Sequence, residues 1–394
     1  MKRSVFIIIG VVLIVLLIGI WVYVLFFGSP ENAPDNFADL NFGDTTDTNL
    51  PINQPTNTEP VVDVGGAEAL RQLTTKPIAG YQEVVSGGGL IAEVLYIEAG
   101  TGHIFAIDTE SGEEERVSAT TIPFTQSGVI TPTGNHVFIQ ALNNGSREFL
   151  IGTLSSTSDT LEITKLAEEV VDYKATTDNT FLYAVQGNNS VIGKEYDPVR
   201  HTSETLFTIP FREAAISWGE TADDTHYTHP KASNRLEGFG YKITSRGLER
   251  LPIDGYGFSM IGTDDFVLFG RQAGQVYENG LYDIENEEFL PFLIETIPEK
   301  CVFTSVASTS IICGGFSSGI GINMPDVWYR GETEFVDNIW EIDTESLTAT
   351  VLANPVLQSG RELDVTTITI GNENTIYFIN KNDQTLWLLD TSIE

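Results

Sequence analysis

The side chains best suited to recognition chemistry stand together in one long loop. Between Gly314 and Asn338 come Phe316, Trp328, Tyr329, Arg330 and Phe335. A Trp-Tyr-Arg triplet joins large apolar area to a planar cation, the residue types enriched at binding hot spots. Either these side chains meet a partner, or Trp328 turns inward and plugs the centre of the molecule. Further basic side chains, Lys231, Arg235, Arg271 and Arg361, fall in other connecting segments, where long loops also tolerate any polar residue.

Residues of catalytic type are present but badly spaced. Gly315-Phe-Ser-Ser-Gly319 has the form of a nucleophile elbow, which requires a helix directly after its serine. Ile320 to Pro325 cannot start one. Gly87-Gly-Gly89 is followed by no helix N-terminus that could hold phosphate. His226 and His229, beside Asp223 and Asp224, suggest a metal, but residues three apart on a strand point to opposite faces. His103, His136 and His201 are scattered. No carboxylate pair stands out among 55 acidic residues, so glycoside hydrolysis has no support. These observations predict no catalytic residue, no metal set and no cofactor.

Cys301 and Cys313 are the only cysteines and lie about symmetrically around Ala307. Directly opposed across an antiparallel hairpin, they come close enough for a disulfide. The other reading is two small buried residues.

Charge and composition limit the partners. The 394 residues carry a formal charge of -34, which opposes nucleic-acid binding because nothing neutralises phosphate on a net basis. Plentiful aromatic and β-branched residues with 36 Gly and 16 Pro predict a folded, all-β body.

Residues 1–27 read as a cytoplasmic tip and a transmembrane signal-anchor. Val5 to Phe27 is an apolar run without a charge, long enough for a hydrocarbon core of about 30 Å. Lys2 and Arg3 precede it, so the N-terminus is expected inside and the remainder on the extracytoplasmic side. A cleaved signal peptide would have a shorter apolar region and a small-residue cleavage site. Residues 28–66 hold seven acidic residues, no basic one and no periodicity, which predicts a disordered acidic linker.

From residue 67 to 394 the chain repeats. Asn338 to Ser346 reads N-I-W-E-I-D-T-E-S, His103 to Ser111 reads H-I-F-A-I-D-T-E-S, and Thr385 to Ser392 reads T-L-W-L-L-D-T-S. Each alternates like a half-buried strand and stops in a polar turn. Units of roughly 40–50 residues with several short strands predict a β-propeller. A second-strand motif recurs near Glu93, Asn135, Asn179, Asp224, Asp265, Thr309 and Asn374, so the expectation is one seven-bladed, monomeric propeller, with six or eight blades possible. The last unit lacks a fourth strand, and Leu70 to Pro77 looks like one, so an N-terminal strand is expected to close the ring.

The arrangement resembles TolB-like and WD-repeat-like propellers, and more closely the signal-anchored propellers of unknown role on the envelopes of small bacteria. The matching features are the anchor, the acidic tether, Arg71 to Gly80, Gly100-Thr-Gly-His103 and Pro325 to Gly331. The Trp-Asp dipeptide that names WD repeats is absent. The resemblance implies fold and placement and carries no catalytic residue.

In such a fold the loops joining second to third strands, and fourth to the next first, share one face. Arg147, Lys231, Arg235, Arg271, Arg330 and Lys381 are expected in or beside the former, and Lys76, Arg212, Lys300 and Arg361 in the latter. The opposite face is acidic. The reading is therefore a non-enzymatic, membrane-anchored binding or scaffold module for an envelope protein or cell-wall polymer. The alternative is a propeller enzyme or sensor, of hydrolase or lyase type, acting at the central channel. Converging carboxylates and a perturbed-pKa cluster at the channel mouth would favour the alternative.

Overall fold

A computed structural model of the chain describes residues 69–86, 91–155, 158–304, 310–316, 321, 323–372 and 374–393. The chain divides into two compact units, Met1–Glu59 and Pro60–Glu394, and every described residue belongs to the second. The expected membrane span and acidic linker lie outside the described residues, as do Gly87 to Gly89 and the serine of the G-x-S-x-G match. No helix among the described residues is long and apolar enough to cross a membrane.

Strand β1 (Leu70–Gln72) comes first. β2 to β5 (Ile78–Ser86, Ile91–Glu98, Ile104–Asp108, Glu114–Ser118) make a four-stranded sheet in chain order. β6 to β9 (Thr125–Ile130, His136–Asn143, Ser146–Leu154, Leu161–Leu166) and β10 to β13 (Val170–Ala175, Phe181–Gln186, Val191–Asp197, Thr202–Ile209) make two more. A seven-stranded sheet holds β14 to β20 (Ala214–Ser217, His226–Pro230, Glu237–Thr244, Gly247–Gly262, Phe266–Ala273, Val276–Asp283, Glu288–Pro291). β21 to β24 (Cys301–Phe303, Ser310–Phe316, Asp337–Asp343, Thr348–Ala353) follow. The last sheet joins β25 to β27 (Val365–Ile370, Thr375–Asn380, Thr385–Asp390) to β1.

The residues account for this layering. Second strands such as Phe181–Gln186 are apolar on both faces and buried on both, because each lies between two neighbouring sheets. Fourth strands such as Thr202–Ile209 are largely exposed and accordingly polar. The recurring Asp-Thr-Glu-Ser turn after third strands is an Asx turn. Asp108 Oδ1 accepts the N–H groups of Glu110 and Ser111 at 2.9 and 2.6 Å, and Asp343 Oδ1 those of Glu345 and Ser346 at 3.0 and 2.7 Å.

Apolar clusters fill the spaces between successive sheets. One joins the first sheet to the second through Ile97, Ile104, Val137 and Ile139. Another returns from the last sheet to the first through Tyr377, Leu388, Tyr96 and Ile107. First strands of neighbouring sheets touch, β2 with β6, β6 with β10 and β21 with β25, so they gather around a common axis. Gly80 and Gly128 allow this approach. A Cβ on Gly80 would stand 1.9 Å from the Gly128 carbonyl oxygen.

The expected closing strand is present. β1 pairs antiparallel with β27, Leu70 opposite Leu389 and Gln72 opposite Trp387. The strand β17 was not anticipated at its full length. It serves the fourth position of one group of strands and runs on without a loop into the first position of the next. Gly255 and Gly257, with φ of +156° and +57°, supply the corner in its middle. Cys301 stands directly opposite Cys313, and the two are joined in a disulfide.

Candidate functional site

The long loop between β22 and β23 folds inward. Pro325 precedes a single helical turn, α1 (Asp326–Tyr329). Asp326 ties this turn to the β15–β16 connection, accepting from Ser233 Oγ at 3.2 Å and from the Asn234 N–H at 2.5 Å. Asn234 also donates to Asn323 Oδ1 at 2.8 Å. Gly257 leaves room beneath, since a Cβ there would meet the Met324 carbonyl oxygen at 2.4 Å. Met324, Trp328 and Phe335 then pack on Tyr277 and Ile297.

Trp328 is only 5% exposed, which corrects the reading of it as a contact residue. Its ring lies over Lys300 and Lys381, and its indole N–H donates to Asp364 at 3.0 to 3.2 Å. Phe316 is drawn in likewise, its ring tilted against that of Phe335 with centroids 3.8 Å apart. Trp328 is thus turned inward, onto Lys300, Lys381 and Asp364.

Beneath the plug sits a sealed ionic cluster. A short 3₁₀ turn, Pro298–Lys300, comes just ahead of β21. The Lys300 ammonium lies 2.6 Å from Asp337 Oδ2 and 2.5 Å from Asp364 Oδ1, and all three side chains are wholly buried. Phe316, Phe335 and Trp328 enclose the ammonium, with centroids 5.0, 5.1 and 5.5 Å away. Asp364 also accepts the Phe335 N–H at 3.3 Å. Asp337 Oδ2 accepts the Val365 N–H at 2.7 Å, while its Oδ1 is buried without a partner. Burial pushes the Asp337 carboxyl up to about 6, against the opposing pull of Lys300.

Glu299 stands one residue earlier and is only half-buried. It accepts from the Tyr329 hydroxyl through Oε1 and from Ser259 Oγ at 3.1 Å through Oε2. Ser259 in turn lies 3.4 Å from the Tyr277 hydroxyl. Burial raises the Glu299 carboxyl above its usual range, although the two hydroxyl donors pull the other way. Tyr329, a residue 41% exposed, is raised well above the ordinary phenol range by burial and by Glu299, and stays a hydrogen donor. A second raised carboxyl lies on the first strand β10. Asp172 is half-buried and is pushed up to about 7 by burial, while the Tyr173 N–H donates to it at 2.8 Å.

The other expected contact residues occupy the predicted connections, but most are neutralised there. Arg271 pairs with Glu278 at 2.8 Å, Arg330 with Glu332 at 2.6 Å and Arg361 with Asp383 at 2.8 Å. Lys76, Arg147 and Lys300 are paired as well. Among the described residues of that set, Lys231, Arg235, Lys381 and Arg212 carry no ion pair. A rim whose cations face their own carboxylates exerts little field on an anionic partner, which corrects the expectation of a broadly cationic face.

His226 and His229 do not converge. His226 Nδ1 accepts the Gly219 N–H at 2.9 Å and its ring packs on Trp218. His229 lies against Phe258, and burial lowers it to about 4. Sequence reasoning missed Glu299, Asp337 and Asp364. Lys300 was noticed only as one loop cation, because its partners lie 37 and 64 residues further on and no local pattern links them.

No family model matches the chain, and no curated protein matches it. Solved structures do. The β-propeller domain of the Trilobed protease from Pyrococcus furiosus shares 11% identity at a TM-score of 0.50, covering 80% of this chain and 95% of that one. Oligogalacturonate lyase from Vibrio parahaemolyticus shares 11% identity at a TM-score of 0.52, covering 82% and 94%. An acylaminoacyl peptidase shares 11% identity at a TM-score of 0.47, covering 77% and 50%. The expectation that the chain is no enzyme does not stand on its fold, because the oligogalacturonate lyase, an enzyme, shares that fold. From its sheets, its closing strand and these likenesses, the chain is a β-propeller.

Proposed function

We propose that the chain is a propeller enzyme of hydrolase or lyase type, with its site at the loop-rich mouth of the central channel. Glu299 is the acid–base group in this reading. The observation that carries it is the environment of that carboxyl, which is half-buried, raised by burial, and held by Tyr329 and Ser259. A carboxyl raised by burial and held by two hydroxyl donors is placed to take and return a proton. The sealed Lys300 cluster supports the floor of this site and meets no substrate.

The ring is read as seven blades, five of them the four-stranded sheets and two sharing β17. The resemblance to TolB-like and WD-repeat-like propellers, and to signal-anchored envelope propellers, rests on the blade pattern. Placement outside the cytoplasm, held by Val5 to Phe27, is supported by the charge asymmetry about that run and by the paired cysteines.

A panel of oligosaccharides and peptides tests the function, with cleavage followed by mass. Uronate oligomers come first, because a lyase acting on such a substrate shares the fold. Glu299→Gln is expected to lower turnover by about 10²–10⁴-fold without changing the melting curve. Equal turnover by parent and variant would move the site elsewhere.

A further inference from the structure

We propose that the Lys300 side chain and the Asp364 carboxyl condense into an intramolecular amide, with Asp337 as the proton carrier. This inference concerns a covalent modification and does not depend on the proposed catalysis. The geometry supplies what the reaction needs. The amine is 2.5 Å from an Asp364 oxygen, so the carboxyl carbon is within reach of its lone pair. The Trp328 indole and the Phe335 N–H already donate to the two oxygens of Asp364, where negative charge grows as the nitrogen adds. Asp337 contacts the same nitrogen at 2.6 Å and has a second oxygen without any partner.

The step balances within these three residues. Asp337 takes one proton from the Lys300 ammonium, and the freed nitrogen attacks Cγ of Asp364. A carbon–nitrogen bond forms as Asp337 returns that proton to an Asp364 oxygen. A second proton passes from nitrogen through Asp337 to the same oxygen, the carbon–oxygen bond breaks, and water leaves. Of the three ammonium hydrogens, two depart with the water and one stays on the amide. Asp337 ends as it began, and no oxidant or external reagent takes part.

Burial sets the direction. In water the separated ions are well solvated and condensation is unfavourable. Here an ammonium and a carboxylate are held without solvent inside three aromatic rings, which carries a desolvation penalty. A neutral amide removes the Lys300 and Asp364 charges, leaving Asp337 as the one buried carboxyl of the cluster, and little water is at hand to reverse the step. Burial also lifts Asp337 to about 6, so it can hold and release a proton near neutrality. The product would tie the segment entering β21 to the segment entering β25 across two neighbouring sheets.

Peptide mass spectrometry of the full chain, purified in detergent, denatured, reduced and cut with trypsin, decides it. The amide blocks cleavage at Lys300. The expected product is a branched species joining residues 272–330 to residues 362–381, lighter than their sum by one water, with fragments locating the branch at Lys300 and Asp364. Linear peptides 272–300, 301–330 and 362–381 without the branched species would overturn the proposal. Asp337→Asn is expected to yield the linear peptides from folded protein, and an undiminished branch in that variant would overturn the proton-carrier role. Should that variant fail to fold, the parent digest alone still decides whether the amide exists.

Discussion

Lys300→Met is expected to destabilise the fold by about 3–5 kcal/mol, the range for removing one partner of a buried ion pair, because the variant keeps two buried carboxyls whether the parent holds Lys300 as the ammonium or as the amide. Methionine fills much of the lysine volume, so the loss reports charge rather than a cavity. It leaves Asp337 and Asp364 facing each other among Phe316, Trp328 and Phe335 with no cation. The two carboxyls can then be tolerated only by taking up protons. Without the cation the Asp337 carboxyl rises further still, so stability is retained at low pH and lost as pH rises through its folded-state value. Denaturant titrations at pH 5 and pH 8 should therefore show the larger loss at pH 8. Adding Asp337→Asn and Asp364→Asn should recover much of it. An equal loss at both pH values would show that packing, not charge, is at stake.

Leu70→Asp with Leu73→Asp should be costlier still, above about 4 kcal/mol, because two carboxylates would enter apolar clusters. Leu70 is 2% exposed and Leu73 4%. They belong to different clusters, Leu70 between the last two sheets and Leu73 between the last sheet and the first. Loss of β1 would also leave β27, with its Leu-Trp-Leu-Leu run, as an open edge, a template for aggregation. Size-exclusion chromatography and thermal melting should show oligomers and a lowered transition. A monomeric variant melting like the parent would mean that β1 does not close the ring.

Much of the architecture was legible because its signals are local. The Asp-Thr-Glu-Ser turns at Asp108 and Asp343 mark third-strand ends through hydrogen bonds spanning two or three residues. The cysteine pair sits symmetrically on one hairpin, so register alone brings the sulfurs together. The tie from Leu70 to Leu389 spans nearly the whole folded unit, yet a missing fourth strand at one end and a spare one at the other disclosed it. The site was less legible. Trp328 has the residue type of a contact anchor, and only the tertiary fold shows it turned onto Lys300 and Asp364. The cationic rim failed for a similar reason. Carboxylates such as Glu278 and Asp383 are distributed singly, and sequence does not show which arginine each one meets.

Glu299 is proposed to handle protons at the channel mouth. The most direct test is the pH dependence of kcat/KM, for the panel substrate that is turned over, in the parent, Tyr329→Phe and Glu299→Gln. The Tyr329 hydroxyl pulls the Glu299 carboxyl down from the raised position that burial gives it. Removing the hydroxyl should raise that carboxyl further and move the acidic limb of the profile to higher pH. Glu299→Gln should abolish the limb along with most of the rate. An acidic limb that stays in place in Tyr329→Phe and survives in Glu299→Gln would contradict the account.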